Sequence, residues 1–285
     1  MPYFYLVMVF LLSACGGGGG DAPPATTTAP LAPASSMMVR YGPQTEQYGQ
    51  FKTPEGNGPF PLAVILHGGC WNRSIASANI MQPMADALTR AGWATLNLEY
   101  RVTSDPLYAA PMTFQDVASA MDALPVMLAN LPVNLKRTVL IGHSAGGHLA
   151  LWAAARPSIP SSSVLYTAKP NLPQAVIGLA AIPDLVTYQA SSCGSYIPGL
   201  RGSLSDAEVS PQAMSSAGVP IYLFSTTADD IVSTQYADAY QKHEASLGHT
   251  VSLTTMSGNH FTLIQSSGEV FNAVLKQMNA IPAAP

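Results

Sequence analysis

Six short apolar runs recur along this chain, each bounded by turn-forming residues and separated by longer segments of helical spacing. They are Pro61–His67, Ala94–Tyr100, Arg137–Gly142, Ala175–Ala181, Pro220–Ser225 and Val251–Met256. Runs of this length, rich in Val, Ile and Leu, suit strands covered on both faces. Between them, residues 75–91, 114–130, 145–155, 234–247 and 267–279 read as helices, with Pro125 expected to kink or restart the second. Such alternation implies an α/β fold, a mostly parallel central sheet with helices on both faces. Met38–Arg40 and Tyr48–Lys52 read as an antiparallel edge. At 285 residues and 48% hydrophobic content the chain can build one large core, placed here at 37–282. The Gly/Ser/Pro-rich stretch 183–219 reads as a small cap over the carboxyl edge of the sheet, where open α/β sheets bind ligands. Its helical pieces are expected at Asp206–Val209 and after Pro211.

Gly142-His143-Ser144-Ala145-Gly146 lies between the third apolar run and the small-residue helix 145–155. A sharp strand-to-helix turn there lifts the Ser144 hydroxyl above the sheet, and the crowding requires glycine two residues before and after it. Ser144 is therefore the candidate nucleophile. His67-Gly68-Gly69-Cys70-Trp71 follows the first run. Its glycines allow close backbone approach, so the amides of Gly69 and Cys70, with that of Ala145, are candidate oxyanion donors. Trp71 reads equally as a candidate pocket wall or as a residue packed in the core, and His67 reads as a loop-holding residue. A serine nucleophile needs a base, and the base needs an orienting acid. Of six histidines, His260 stands in a loop after the last apolar run, at the sheet's catalytic edge. The acid is expected after the run 220–225, where Asp229 and Asp230 both stand, with Asp184 a lesser alternative better read as shaping the cap.

The amino terminus is not read as part of the fold. Tyr3–Leu12 is too short an apolar run to span a bilayer and fits a signal-peptide core. Leu12-Ser13-Ala14-Cys15 resembles the lipobox of bacterial lipoproteins, although no Lys or Arg precedes the apolar run. That resemblance implies a signal peptide over 1–14 and lipidation at Cys15. It also implies an envelope location, at the outer membrane because Gly16 replaces the aspartate that retains lipoproteins at the inner membrane. Residues 15–36 then form a Gly/Pro/Thr-rich tether. Lipidation of Cys15 leaves Cys70 and Cys193, which export would expose to oxidising conditions; they are expected to form a disulfide that staples the Gly/Ser/Pro-rich segment to the active-site rim, the alternative being two separate buried thiols. With a net charge of −4 and no basic stripe, nothing favours nucleic acid, and membrane contact is expected through the lipid alone.

The segments His67-Gly-Gly-Cys-Trp71, Asn97-Leu98-Glu99-Tyr100-Arg101 and Gly142-His-Ser-Ala-Gly-Gly-His-Leu-Ala-Leu-Trp152 together resemble the α/β hydrolases of the kynurenine formamidase-like and acetylxylan/feruloyl-esterase-like group. The pattern Asp-x-x-Val in that family selects Asp229 over Asp230. The resemblance implies a cofactor-free serine hydrolase that cleaves carboxylic esters through an acyl-enzyme, with a small-molecule ester as its partner. The alternatives are an arylformamidase and, in a different class, a non-catalytic surface binding protein. Cys70 departs from the bulky residue common in related formamidases. No His/Cys spacing suggests a metal.

Overall fold

In a computed structural model, which describes residues 34–284, eight strands form one sheet in the order β1-β2-β4-β3-β5-β6-β7-β8. The strands are β1 Ser35–Arg40, β2 Tyr48–Thr53, β3 Phe60–Leu66, β4 Ala94–Leu98, β5 Val133–His143, β6 Ala175–Leu179, β7 Ile221–Thr226 and β8 Val251–Met256. β1 and β2 pair antiparallel, β2 pairs antiparallel with β4, and the rest are parallel. Every residue of β4 and β6 is buried, as both-face coverage demands. The leader, Cys15 and the tether up to residue 33 lie outside the described residues. β1 begins inside the stretch read as tether, with Ser35 Oγ 2.7 Å from Thr53 Oγ1.

The longer helices are α1 Gln82–Arg90, α2 Met112–Met127, α3 Ala145–Ala155, α7 Thr234–Ser246 and α8 Gly268–Ala280, and the short α4 Leu185–Tyr188, α5 Ile197–Arg201 and α6 Asp206–Val209 lie between α3 and α7. α1 starts later than its spacing predicts. Residues 75–77 are non-helical and a 3-10 turn spans Ala78–Met81. The Ala78 amide is taken by the buried Glu99 carboxylate at 3.0 Å, which holds this stretch as a loop. Pro125, expected to kink or restart α2, lies inside it. A proline leaves the carbonyl four residues earlier without its helical donor. That carbonyl, Met121 O, accepts from Asn171 Nδ2 at 2.7 Å instead.

Within 183–219, α6 falls at the expected residues, and a 3-10 turn over Pro211–Ala213 follows. α4 and α5 are additional to the expectation, and Asp184 caps α4 by accepting from the Val186 and Thr187 amides. α3 holds α6 through its own side chains: His148 Nε2 lies 2.8 Å from Val209 O, and Trp152 Nε1 donates to Glu208 O at 2.9 Å. Burial pushes His148 down to about 4, the hydrogen bond opposing it, so at neutral pH the uncharged ring donates from Nε2.

Candidate active site

The turns after β3, β5, β7 and β8 carry the residues singled out in the sequence, all at the carboxyl edge of the parallel strands. Ser144 sits at φ 55° and ψ −118° between β5 and α3, a conformation that costs energy for any residue but glycine. Close approach makes it obligatory. A Cβ on Gly142 would lie 2.1 Å from Gly146 O, and one on Gly146 would lie 2.3 Å from both His67 O and Leu66 O. The crowding expected between the two glycines is real for Gly142; Gly146 instead clears the end of β3.

Asp229 and His260 are brought together. His260 Nδ1 is 2.8 Å from Asp229 Oδ2, while Asp229 Oδ1 accepts from the amides of Ile231 at 3.0 Å and Val232 at 2.8 Å. Burial alone would raise the Asp229 pKa, yet the hydrogen bonds from His260 and Val232 outweigh it and hold the carboxyl below its ordinary value. Asp230 faces the exterior and makes none of these contacts. Ser144 and His260 are each 3% exposed and line one pocket. No hydrogen bond joins Ser144 Oγ to His260 among the described residues. Catalytic hydrogen bonds commonly tighten only when substrate is bound.

The pocket has a volume of about 100 Å³. Gly69 and Cys70 form part of its wall, and its apolar surface comes from Ile75, Ala76, Ile80, Ile231 and Phe261. Gly69 has φ 104° and Cys70 has φ 53°. The amides of Gly69, Cys70 and Ala145 donate to no other group among the described residues. Trp71 does not line this pocket. It is fully buried in the core at φ 54°, edge-on to His148 with ring centroids 5.3 Å apart.

Two features escaped the sequence reading. His143, beside the serine, lies with its ring 4.5 Å from that of His260, and its Nε2 is 3.1 Å from His260 O. Burial, with the nearby His260, pushes His143 down to about 3. An uncharged His143 therefore donates to the backbone of the candidate base. Beneath the glycine loop, Glu99 is buried against His67 Nε2 at 2.9 Å, pairs with Arg73, and accepts from the Tyr100 and Ala78 amides. Burial would raise Glu99, but His67 and Arg73 hold it down to about 2. Tyr100 Oη donates to His67 O at 2.5 Å, so the loop carrying Gly69 is tied to the end of β4. Glu99 and Tyr100 entered the sequence reading only within a resembling segment; no spacing rule marks a buried carboxylate as a loop anchor. Cys70 and Cys193 form a disulfide with Cα atoms 5.1 Å apart. No group of three metal-binding side chains occurs among the described residues.

Strand order, a strained serine at a strand-to-helix turn, and an Asp-His pair after the following strands define the α/β-hydrolase fold. The chain belongs to the BD-FAE family, whose model matches residues 51–243. It is similar in structure to esterase B from Lactobacillus rhamnosis, solved inhibited by a tributyrin phosphonate, with a TM-score of 0.74 and 18% identity over 90% of this chain and 88% of that one. It is also similar to Thermogutta terrifontis esterase 2 with butyrate bound, TM-score 0.68 and 18% identity over 86% and 92%. A truncated carbohydrate esterase from gut microbiota gives TM-score 0.67 and 16% identity over 87% and 96%. Among curated proteins, a non-reducing polyketide synthase of Emericella nidulans is 32% identical over 107 residues, which is 34% of this chain and only 4% of that protein.

Proposed function

We propose that this protein is a serine hydrolase that cleaves carboxylic esters of short acyl groups through an acyl-enzyme. The observation that carries the reading is the shared pocket: Ser144 and His260 line it, Asp229 is hydrogen-bonded to the far ring nitrogen of His260, and unpaired amides stand at its wall. In this reading Ser144 Oγ attacks the ester carbonyl while His260 Nε2 takes its proton. Asp229 fixes the ring with Nδ1–H toward the carboxylate and stabilises the imidazolium that forms. The carbonyl oxygen, now negative, is received by the amides of Gly69, Cys70 and Ala145, where each donor contributes about 3 kcal/mol. His260 returns the proton to the departing alkoxide, and water repeats the sequence on the acyl-enzyme.

The short-acyl preference rests on size. A pocket of about 100 Å³ is well below the roughly 300 Å³ at which drug-sized ligand sites begin. The butyrate held by Thermogutta terrifontis esterase 2 is consistent with that limit. A formyl group fits the same space, so arylformamidase activity is the competing reading. The test is a panel of p-nitrophenyl acetate, butyrate, octanoate and palmitate, acetylated and feruloylated sugars, and N-formylkynurenine. Acetate and butyrate esters are expected to be turned over best, with all turnover lost in Ser144→Ala. Faster turnover of N-formylkynurenine than of every ester would establish the formamidase. Absence of any turnover would leave a binding protein.

The lipobox-like segment supports an envelope location through a lipid on Cys15, at an outer-membrane face. Expression with an alkyne-bearing fatty acid is expected to label the full chain and not Cys15→Ser. Equal labelling of the two would refute the anchor.

A further inference from the structure

The stretch 183–219 supplies no residue to the Ser144 pocket, yet it is covalently bonded to the pocket wall. Cys70 lines the pocket and bears one of the unpaired amides; its sulfur is bonded to Cys193, which is fully buried at the start of the Gly194–Tyr196 turn. Next to that sulfur stands Tyr188 of α4. Its hydroxyl is 3.8 Å from Cys193 Sγ and donates to Ile231 O at 3.0 Å. The amide of the same Ile231 donates to Asp229 Oδ1. One short path therefore runs from the glycine loop, through Cys193 and Tyr188, to the loop that holds the acid. The glycine-loop end needs such help. Cys70 sits at φ 53° and Trp71 at φ 54°, left-handed conformations that non-glycine residues hold only when surrounding contacts impose them. The packing around Cys193 is tight enough to act as a fixed post: a Cβ on Gly194 would lie 1.8 Å from Gln189 O.

We propose that Cys193 and Tyr188 are positioning residues: the Cys70–Cys193 disulfide holds the Cys70 amide in register with the Asp229–His260 pair, so that the oxyanion forms where donor and base both reach it. The inference rests on the ester-hydrolase reading above. Its consequence is specific to the transition state. A loosened donor weakens binding of the tetrahedral oxyanion more than binding of the planar ester, so kcat falls while KM holds.

The test compares the oxidised full chain with the same protein reduced by dithiothreitol. The reagent delivers two electrons and two protons to the two sulfurs and closes to its own cyclic disulfide. Oxidised glutathione reverses the step, becoming two glutathione thiols. Turnover of p-nitrophenyl acetate and the inhibition constant of a trifluoromethyl ketone are measured in each state, with far-ultraviolet circular dichroism to follow folding. On reduction, kcat is expected to fall about 10-fold with KM within twofold, below the 10²–10³ for complete loss of a donor. Ketone affinity is expected to fall in parallel, and both to recover with oxidised glutathione. Tyr188→Phe is expected to lower kcat about threefold in the same pattern, and Cys70→Ser/Cys193→Ser to match the reduced protein and ignore dithiothreitol. Unchanged kcat and ketone affinity after two thiols have been titrated would overturn the proposal while leaving the ester reading intact, as would a rise in KM alone. An oxidised protein with no turnover of any ester would remove the reading beneath it.

Discussion

Asp229 and Asp230 are adjacent, equally acidic and equally placed after β7, so composition and spacing alone leave them undivided. The backbone divides them. The amides of Ile231 and Val232 fold back onto Asp229 Oδ1 and leave Oδ2 for His260, which gives the Asp-x-x-Val spacing a physical basis. Asp230 points outward. Asp229→Asn is therefore expected to lower kcat by about 10⁴, the loss found where the orienting acid of a Ser-His-Asp site becomes an amide. Asp230→Asn is expected to stay within twofold of the wild type; stopped assays on p-nitrophenyl acetate separate the two. His143 was opaque for a different reason. Position 143 is the variable place of the serine pentapeptide, and only the fold brings its ring beside His260. Trp71 shows the converse: it is next to a pocket residue in sequence, yet it is fully buried against His148 in the core.

At the scale of elements, the strands were legible because burial on both faces writes an unbroken apolar run, and β3 to β8 fall within a few residues of those runs. Helix starts were less so, because a distant partner decides them. The Glu99 carboxylate takes the Ala78 amide and delays α1, and Asn171 rescues the carbonyl that Pro125 leaves open in α2. Glu99 should also be visible in stability. Its pKa falls from 4.5 to about 2 on folding, a stabilisation of about 3 kcal/mol. Because the folded value is depressed, that contribution is complete above the unfolded value and disappears as pH falls toward 2. Glu99→Gln is expected to be about 3 kcal/mol less stable than wild type in urea at pH 7, and the gap is expected to close with acidification. A gap independent of pH would assign the loss to packing alone. Gly146→Ala meets two backbone carbonyls that cannot step aside; a cost of about 3 kcal/mol is expected, read as a lower melting temperature or insoluble protein.

At the scale of the whole molecule, alternation of apolar runs and helical segments was enough for the α/β architecture, and the structure places the serine turn, the glycine loop and the late His260 together on one edge of the sheet. What the sequence does not encode locally is which side chains of the stretch 183–219 meet that edge. The Cys70–Cys193 pairing expected from the sequence does tie it to the pocket wall across 123 residues, but the stretch lends no side chain to the pocket itself. The pocket's apolar walls come from Ile75 and Ile80 of one stretch and from Ile231 and Phe261 of two distant loops, a grouping that only the fold assembles. All of this converges on one atom, the Ser144 hydroxyl. The direct test is to treat the folded protein with a fluorophosphonate, digest it and locate the adduct by mass spectrometry, with p-nitrophenyl acetate turnover followed alongside. One equivalent on Ser144, with turnover lost in proportion, is the expected result. An adduct on another residue, or full turnover in protein whose Ser144 is labelled, would contradict the account.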